Sequence, residues 1–179
     1  EKGVNTEEAL TEAAKTASFT YDFIKDTGEL SRLEGYLFPD TYEFYMGGGE
    51  DEAVQVLNKM ILRFDQQFTD EMRQKAADMG YTVHQMVTIA SLIEKETDGT
   101  DQAKIASVIY NRLCDPANWP YINIDATVVY ALGGINRPLT YEDTQVDSPY
   151  NTYKHTGLPV GPISNPGIDA IKAAIYPQN

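Results

Sequence analysis

"MVTIASLIEKET", residues 86–97, sets a charged triplet, Glu94, Lys95 and Glu96, directly behind a run of apolar residues. Upstream, Thr82 and Gln85 have the spacing of a capping box, and Tyr81 and Met86 can form a hydrophobic staple around it, so a helix is predicted to start here. Advancing about 100° per residue, Val83, Met86, Val87, Ala90 and Ile93 share one arc, and Glu94 falls inside it. His84, Thr88, Ser91 and Lys95 are predicted to point away, and Glu96 lands at the edge of the arc near Ile89. A carboxylate carried toward the core loses hydration, which disfavours its charged form. Such an acid can protonate a leaving oxygen and afterwards act as base. The same phase also fits a core-edge acid paired to Arg112 or Arg63.

Helical spacing continues on both sides of this stretch. Asn5, with Glu8 three residues on, reads as an N-cap for a short helix through Ala14. From Glu50 to Phe68, apolar residues recur at three- and four-residue steps, and a second run ends at Gly80, a good residue just past a helix end. "TDQAKIASVIYNRL" predicts another helix, and Asn165-Pro166 reads as the cap and first residue of the last one. "YINIDATVVYAL" is β-branched and aromatic and reads as a strand or a strand-to-helix passage. The stretch 148–167 is turn-rich and stiffened by Pro149, Pro159, Pro162 and Pro166. The expected class is α+β and helix-dominated, with a soft boundary near Gly49 that divides residues 1–49 from 50–179.

Composition narrows the function classes. The 179 residues, 42% hydrophobic, suffice for one full core. With 27 acidic against 14 basic residues the net charge is −13, which repels phosphate backbones, so nucleic acid is not an expected partner. The single Cys114 cannot form an internal disulfide. His84 and His155 lack the spacing of a zinc site, so no metal is expected. No run reaches the roughly eighteen apolar residues of a membrane span. The chain begins at Glu1 without a Met and stops just after a helical pattern, so a piece of something longer is expected. Twelve tyrosines, many in turn-rich segments, suit stacking on sugar rings, or equally serve as ordinary half-buried side chains.

"LEGYLFPDTYEF", "IASLIEKET", "ASVIYNRL", "DATVVYAL" and "SPYNTYKHTGLPVGPISNPGIDAIKAAIYP" occur in that order from Leu33 to Pro177. Together they resemble the YceG-like family of endolytic murein transglycosylases, the MltG proteins. Residues 1–32 resemble the end of the LysM-like subdomain that precedes the family's catalytic part. The resemblance implies a lysozyme-like catalytic domain over 50–179, cut short at its C-terminus. It implies a lytic transglycosylase at the extracytoplasmic face of the bacterial cytoplasmic membrane, anchored by an N-terminal helix absent from this chain. The enzyme would cleave the β-1,4 bond between N-acetylmuramic acid and N-acetylglucosamine in nascent peptidoglycan strands. A 1,6-anhydromuramoyl end would remain, no cofactor would be needed, and the synthases of the elongation machinery would be candidate partners.

The family's catalytic glutamate maps onto Glu94, the residue that helical phase also selects. By motif position Asp125, Tyr130, Tyr150, Asn151, Thr152 and Tyr153 are expected around the glycan groove. The chain departs from the family pattern at Asn123, Ile124 and Val160. A non-catalytic peptidoglycan-binding module is the alternative from another class. Aminodeoxychorismate lyase, a pyridoxal-phosphate activity attached to the family as a label, is a second alternative. It is disfavoured because Lys95 is predicted on the solvent side.

Overall fold

The computed structural model describes residues 5–44 and 50–178. They form α1 (Glu7–Thr16), α2 (Glu50–Gln67), α3 (Asp70–Asp78), α4 (Val83–Glu96), α5 (Gln102–Cys114), α6 (Asp125–Ala131) and α7 (Ile168–Ile175), with short 3-10 turns at Leu30–Leu33 and Asp143–Gln145. No described residue lies in a strand, so the fold is helical and the expected α+β class is corrected. The strand-like "YINIDATVVYAL" is irregular through Ile124 and then turns into α6. Burial of Thr127 and Val128 on the face toward the protein outweighs the β preference of that run. No described helix is long and apolar enough to cross a membrane.

Helix α4 is the centre of the molecule. The capping box is present as predicted: Thr82 Oγ1 accepts from the Gln85 backbone N–H, and Gln85 Oε1 accepts from that of Thr82. Every residue from Met86 to Ile93 is buried, so α4 is enclosed on all sides rather than along one arc. Thr88 and Ser91, predicted to face solvent, are instead inside. Their hydroxyls are satisfied by donating one turn back, Thr88 to the His84 carbonyl at 2.8 Å and Ser91 to that of Thr88 at 2.7 Å. What covers this polar side is the irregular segment 160–167, which no periodicity reveals. Ser91 Oγ accepts from the Ile163 N–H at 3.0 Å, and the Ser164 hydroxyl donates to the Ser91 carbonyl at 3.2 Å. Helix α7 packs along α4, with α5, α6 and α3 around it.

The N-terminal residues join the same core: Ala13, Ala14, Phe19 and Phe23 belong to one cluster with α2 and α4. The N-cap of α1 is Thr6, whose side chain accepts from the Ala9 N–H, and the predicted cap Asn5 accepts from Thr6 N–H instead. Buried Arg32 closes the other end of α1. Its Nε donates to the Ala14 carbonyl at 2.7 Å, one terminal nitrogen donates to the Ala17 carbonyl, and the other pairs with Asp26. Arg32→Met is expected to leave those carbonyls without a partner and to cost about 2–4 kcal/mol, read as a lower urea midpoint at unchanged slope.

Gly35, at φ +90°, is the point where the 33–38 segment meets α4: a Cβ there would stand 2.6 Å from Val87 Cγ1 and 2.7 Å from Pro162 Cγ. Asn165 Oδ1 accepts from the Gly35 and Leu37 N–H groups at 2.8 and 3.1 Å. Asn165 is therefore engaged with a distant segment, and α7 starts at Ile168 with Gly167 as its cap, two residues later than predicted. The domain boundary expected near Gly49 lies outside the described residues.

Candidate active site

A cavity of about 830 Å³ opens between the C-terminal end of α4 and α6. Lys95 and Glu96 line it from α4, Asp125, Val129 and Tyr130 from α6, and Gly133, Gly134 and Ile163 complete the wall. Such a volume suits a ligand of one or two sugar rings, and its lining is mostly apolar with a few converging polar groups.

Glu96 is the α4 carboxyl in this cavity, and Asp125 of α6 is a second. The surface of Glu96 is exposed to solvent, yet the protein packed around the carboxyl removes part of its hydration and raises its pKa above the ordinary carboxyl range. The negative charge of Asp125 raises it further, and Arg112 opposes. The Arg112 guanidinium donates to the Ile122 carbonyl and lies 5.5 Å from the centre of the exposed Trp119 ring. Asp125, at the first turn of α6, accepts from the Tyr153 hydroxyl at 2.5 Å. Burial, followed by that bond and the Asp125 charge, pushes the Tyr153 phenol up to about 12.

Glu94 lies elsewhere. It is half-buried, and its Oε2 accepts from the Gly167 N–H at 3.1 Å, at the start of α7. It faces a separate cavity of about 410 Å³ shared with Asp40, Arg63, Gln102 and Asp169. Arg63, one of the expected partners, donates instead to Asp40 at 2.7 Å. Residues 94 and 96 stand about 200° apart around a helix, which is why the two acids reach different cavities. Because α4 is buried on every side, facing the core did not by itself select the cavity. The predicted groove residues Asp125 and Tyr130 gather around Glu96.

Of the other expected groove residues, Tyr150 is half-buried with its ring centre 4.8 Å from that of Tyr130. Asn151 and Thr152 are buried, and their side chains are occupied in holding the loop. Asn151 donates to the Thr144 and Val146 carbonyls at 3.0 and 2.7 Å and accepts from the Tyr153 N–H at 2.9 Å. Thr152 Oγ1 accepts from the Ile124 N–H at 2.9 Å and meets Thr127 Oγ1 at 2.9 Å. They set the positions of Tyr150, Tyr153 and Asp125 rather than lining the cavity. Asn123, a departure from the family pattern, has φ 56°, a left-handed conformation that Asn tolerates, and its N–H donates to the Thr152 carbonyl at 3.1 Å. Lys95 is exposed as predicted, but at the mouth of the large cavity.

Sequence reasoning did not single out Glu34. It is half-buried and close enough to Tyr130 for each group to shift the other's pKa. Burial raises the Glu34 pKa, while the Tyr130 contact and the Lys95 charge pull it down. Burial and the Glu34 charge raise that of Tyr130. Its one sequence signal is a lone acid between Leu33 and Gly35-Tyr36, all three of which are buried. Among the described residues no cluster of three or more His, Cys, Asp or Glu could hold a metal ion.

Known proteins share this architecture. A yceG-like protein from Listeria monocytogenes, seen in a crystal structure, is 39% identical and superimposes with a TM-score of 0.72 over 95% of this chain and 50% of its own. The endolytic murein transglycosylase of Bacillus subtilis (strain 168) is 41% identical over 147 residues, covering 82% of this chain and 39% of that protein. That of Streptococcus pneumoniae serotype 2 is 36% identical over 159 residues, 85% of this chain and 27% of that protein. The chain thus spans well under half the length of these curated relatives. The model of the YceG-like family matches residues 1–179, and the chain belongs to that family.

Proposed function

We propose that this chain carries the catalytic centre of an endolytic murein transglycosylase, with Glu96 as its acid and base. The observation that carries the reading is the position of Glu96: a carboxyl with a raised pKa, opening with Asp125 and Tyr130 into a cavity large enough for sugar rings. Glu96 in its neutral form protonates the glycosidic oxygen as oxocarbenium character develops at C1 of the muramic sugar. The C–O bond to the departing N-acetylglucosamine breaks, and the now anionic Glu96 takes the proton of the muramic C6 hydroxyl as that oxygen closes on C1. The product is a 1,6-anhydro end, and no water is consumed. The nucleophile belongs to the substrate, so the second carboxylate of ordinary glycosidases is not required. Glu94, held on the Gly167 N–H, would fix the end of α4 to α7 rather than touch the sugar.

The related transglycosylases and the size of the cavity, with Tyr130 in its wall, support peptidoglycan glycan as the substrate. The same reading includes a lysozyme-like catalytic arrangement, a LysM-like origin for residues 1–32, action outside the cytoplasm, an anchor beyond this chain and contact with the synthases of the elongation machinery.

Mass spectrometry of uncrosslinked glycan strands, incubated with the protein and with Glu96→Gln and Glu94→Gln, tests the assignment. Anhydro-ended fragments from the wild type and Glu94→Gln, and none from Glu96→Gln, are expected. Loss in Glu94→Gln alone would return the acid to Glu94, and reducing ends would make the enzyme a hydrolase.

Asp125 offers a test of the electrostatics. Its charge raises the Glu96 pKa, so Asp125→Asn should lower it. The acid must be protonated, so activity is lost as pH rises through that pKa. The alkaline limb of the kcat/KM profile should therefore move to lower pH in Asp125→Asn, while an unmoved limb would mean that Glu96 is not the group titrating.

A further inference from the structure

Resting on the reading above, we propose that Trp119 is a sugar-binding residue of the same cleft: its indole is a stacking platform for a ring of the glycan strand beyond those held in the cavity. Trp119 is the single tryptophan of the chain, and 53% of its surface is exposed. A flat ring has two faces. The Arg112 guanidinium lies over one of them, 5.5 Å from the ring centre, and is itself held by donating to the Ile122 carbonyl. The free face is the one turned from Arg112. The C–H face of a pyranose is flat and apolar and fits such a ring, while the hydroxyls around its rim keep their bonds to water.

The segment between α5 and α6 leads from this platform to the cavity. Ile122 and Ile124 are buried, so the exposed Tyr121, Asn123 and Asp125 lie along its outer side, with Trp119 at the start of the row. The row ends at Asp125, a residue of the cavity wall. The Asn123 N–H donates to the Thr152 carbonyl at 3.1 Å and the Ile124 N–H to Thr152 Oγ1 at 2.9 Å, which holds the row beside Tyr153, the partner of Asp125. A strand cut within its length must continue out of the cavity, and this row gives it an aromatic path. The ring is also fixed in advance. The Trp119 N–H donates to the Asp115 carbonyl at 2.8 Å, the Asn118 side chain donates to the Asp115 carboxylate at 2.9 Å, and Pro116 and Pro120 bracket the turn. Little freedom is left to lose on binding.

Because the chain has one tryptophan, its emission reports on this site alone. The Glu96→Gln protein, which should bind without cleaving, is titrated with the disaccharide repeat of the glycan and with longer uncrosslinked strands of the same repeat. The disaccharide, which the cavity can hold by itself, should leave the emission unchanged, and the longer strands should shift it to the blue along a saturable curve. Calorimetry then compares Trp119→Ala and Trp119→Tyr, each added to Glu96→Gln. Longer strands should bind about tenfold more weakly to the first and close to the parent affinity to the second, with the thermal unfolding midpoint unchanged in both. Longer strands that bind without moving the emission, a shift already given by the disaccharide, or Trp119→Ala binding as the parent does would overturn the proposal. So would the absence of any strand binding, because no sugar would then meet the ring. A blue shift with no anhydro ends from the wild type would sink the transglycosylase reading and leave the platform standing. Anhydro ends with an unmoved emission would do the reverse.

Discussion

Glu96→Gln is expected to lower the rate of anhydro-end formation by about 10²–10⁴-fold with little change in strand binding, because the amide keeps the shape of the side chain but has no proton to give. Glu94→Gln should retain most activity, since an amide oxygen can still accept from the Gly167 N–H. The two acids sit two residues apart on one helix, so the pair is a control within a single element. A steady-state comparison of kcat and KM separates the roles: the Glu96 variant should lose kcat. A Glu94 variant that loosens the α4–α7 contact should show instead a lower unfolding midpoint.

The second large effect is expected from Gly35→Ala. The new methyl would sit 2.6 Å from Val87 Cγ1 and less than 3 Å from two atoms of Pro162, on a backbone with φ +90°. Neither neighbour is the free end of a flexible chain. Left-handed strain and overpacking together should cost about 2–5 kcal/mol, read as a lower urea midpoint at unchanged slope. Activity should fall as well, because any shift that relieves the clash displaces Val87 of α4 or Pro162, which adjoins Ile163 of the cavity wall. A stable, fully active variant would show that the 33–38 segment yields easily.

How much of this could be read beforehand follows from what kind of contact does the work. The start of α4 was legible to the residue, because a capping box is local chemistry written in the sequence. The end of α3 before Gly80, with φ +81°, was legible for the same reason. The assignment of the acid was not fixed by phase, because phase distinguishes an inner from an outer face, and α4 has no outer face between Met86 and Ile93. Of the strand or strand-to-helix passage expected at "YINIDATVVYAL", only the helix is present, because β-branched residues are also good packing surface and α6 uses them that way. Asn165 looked like a helix cap because Asn before Pro usually is one. Its engagement with Gly35 and Leu37 depends on a segment 130 positions away, and no local rule can see that.

That last contact bears on how fast the molecule can form. Helical proteins usually gain most of their contacts from near neighbours and fold quickly. Here a segment near residue 35 and a segment near residue 165 meet over the middle helix, and closing such a long loop must be completed before the contacts repay it. Refolding should therefore be slower than the helix content suggests, and Asn165→Ala should slow it further if this tie is already made at the barrier. The middle helix would then be fully enclosed only when both ends of the chain have found it.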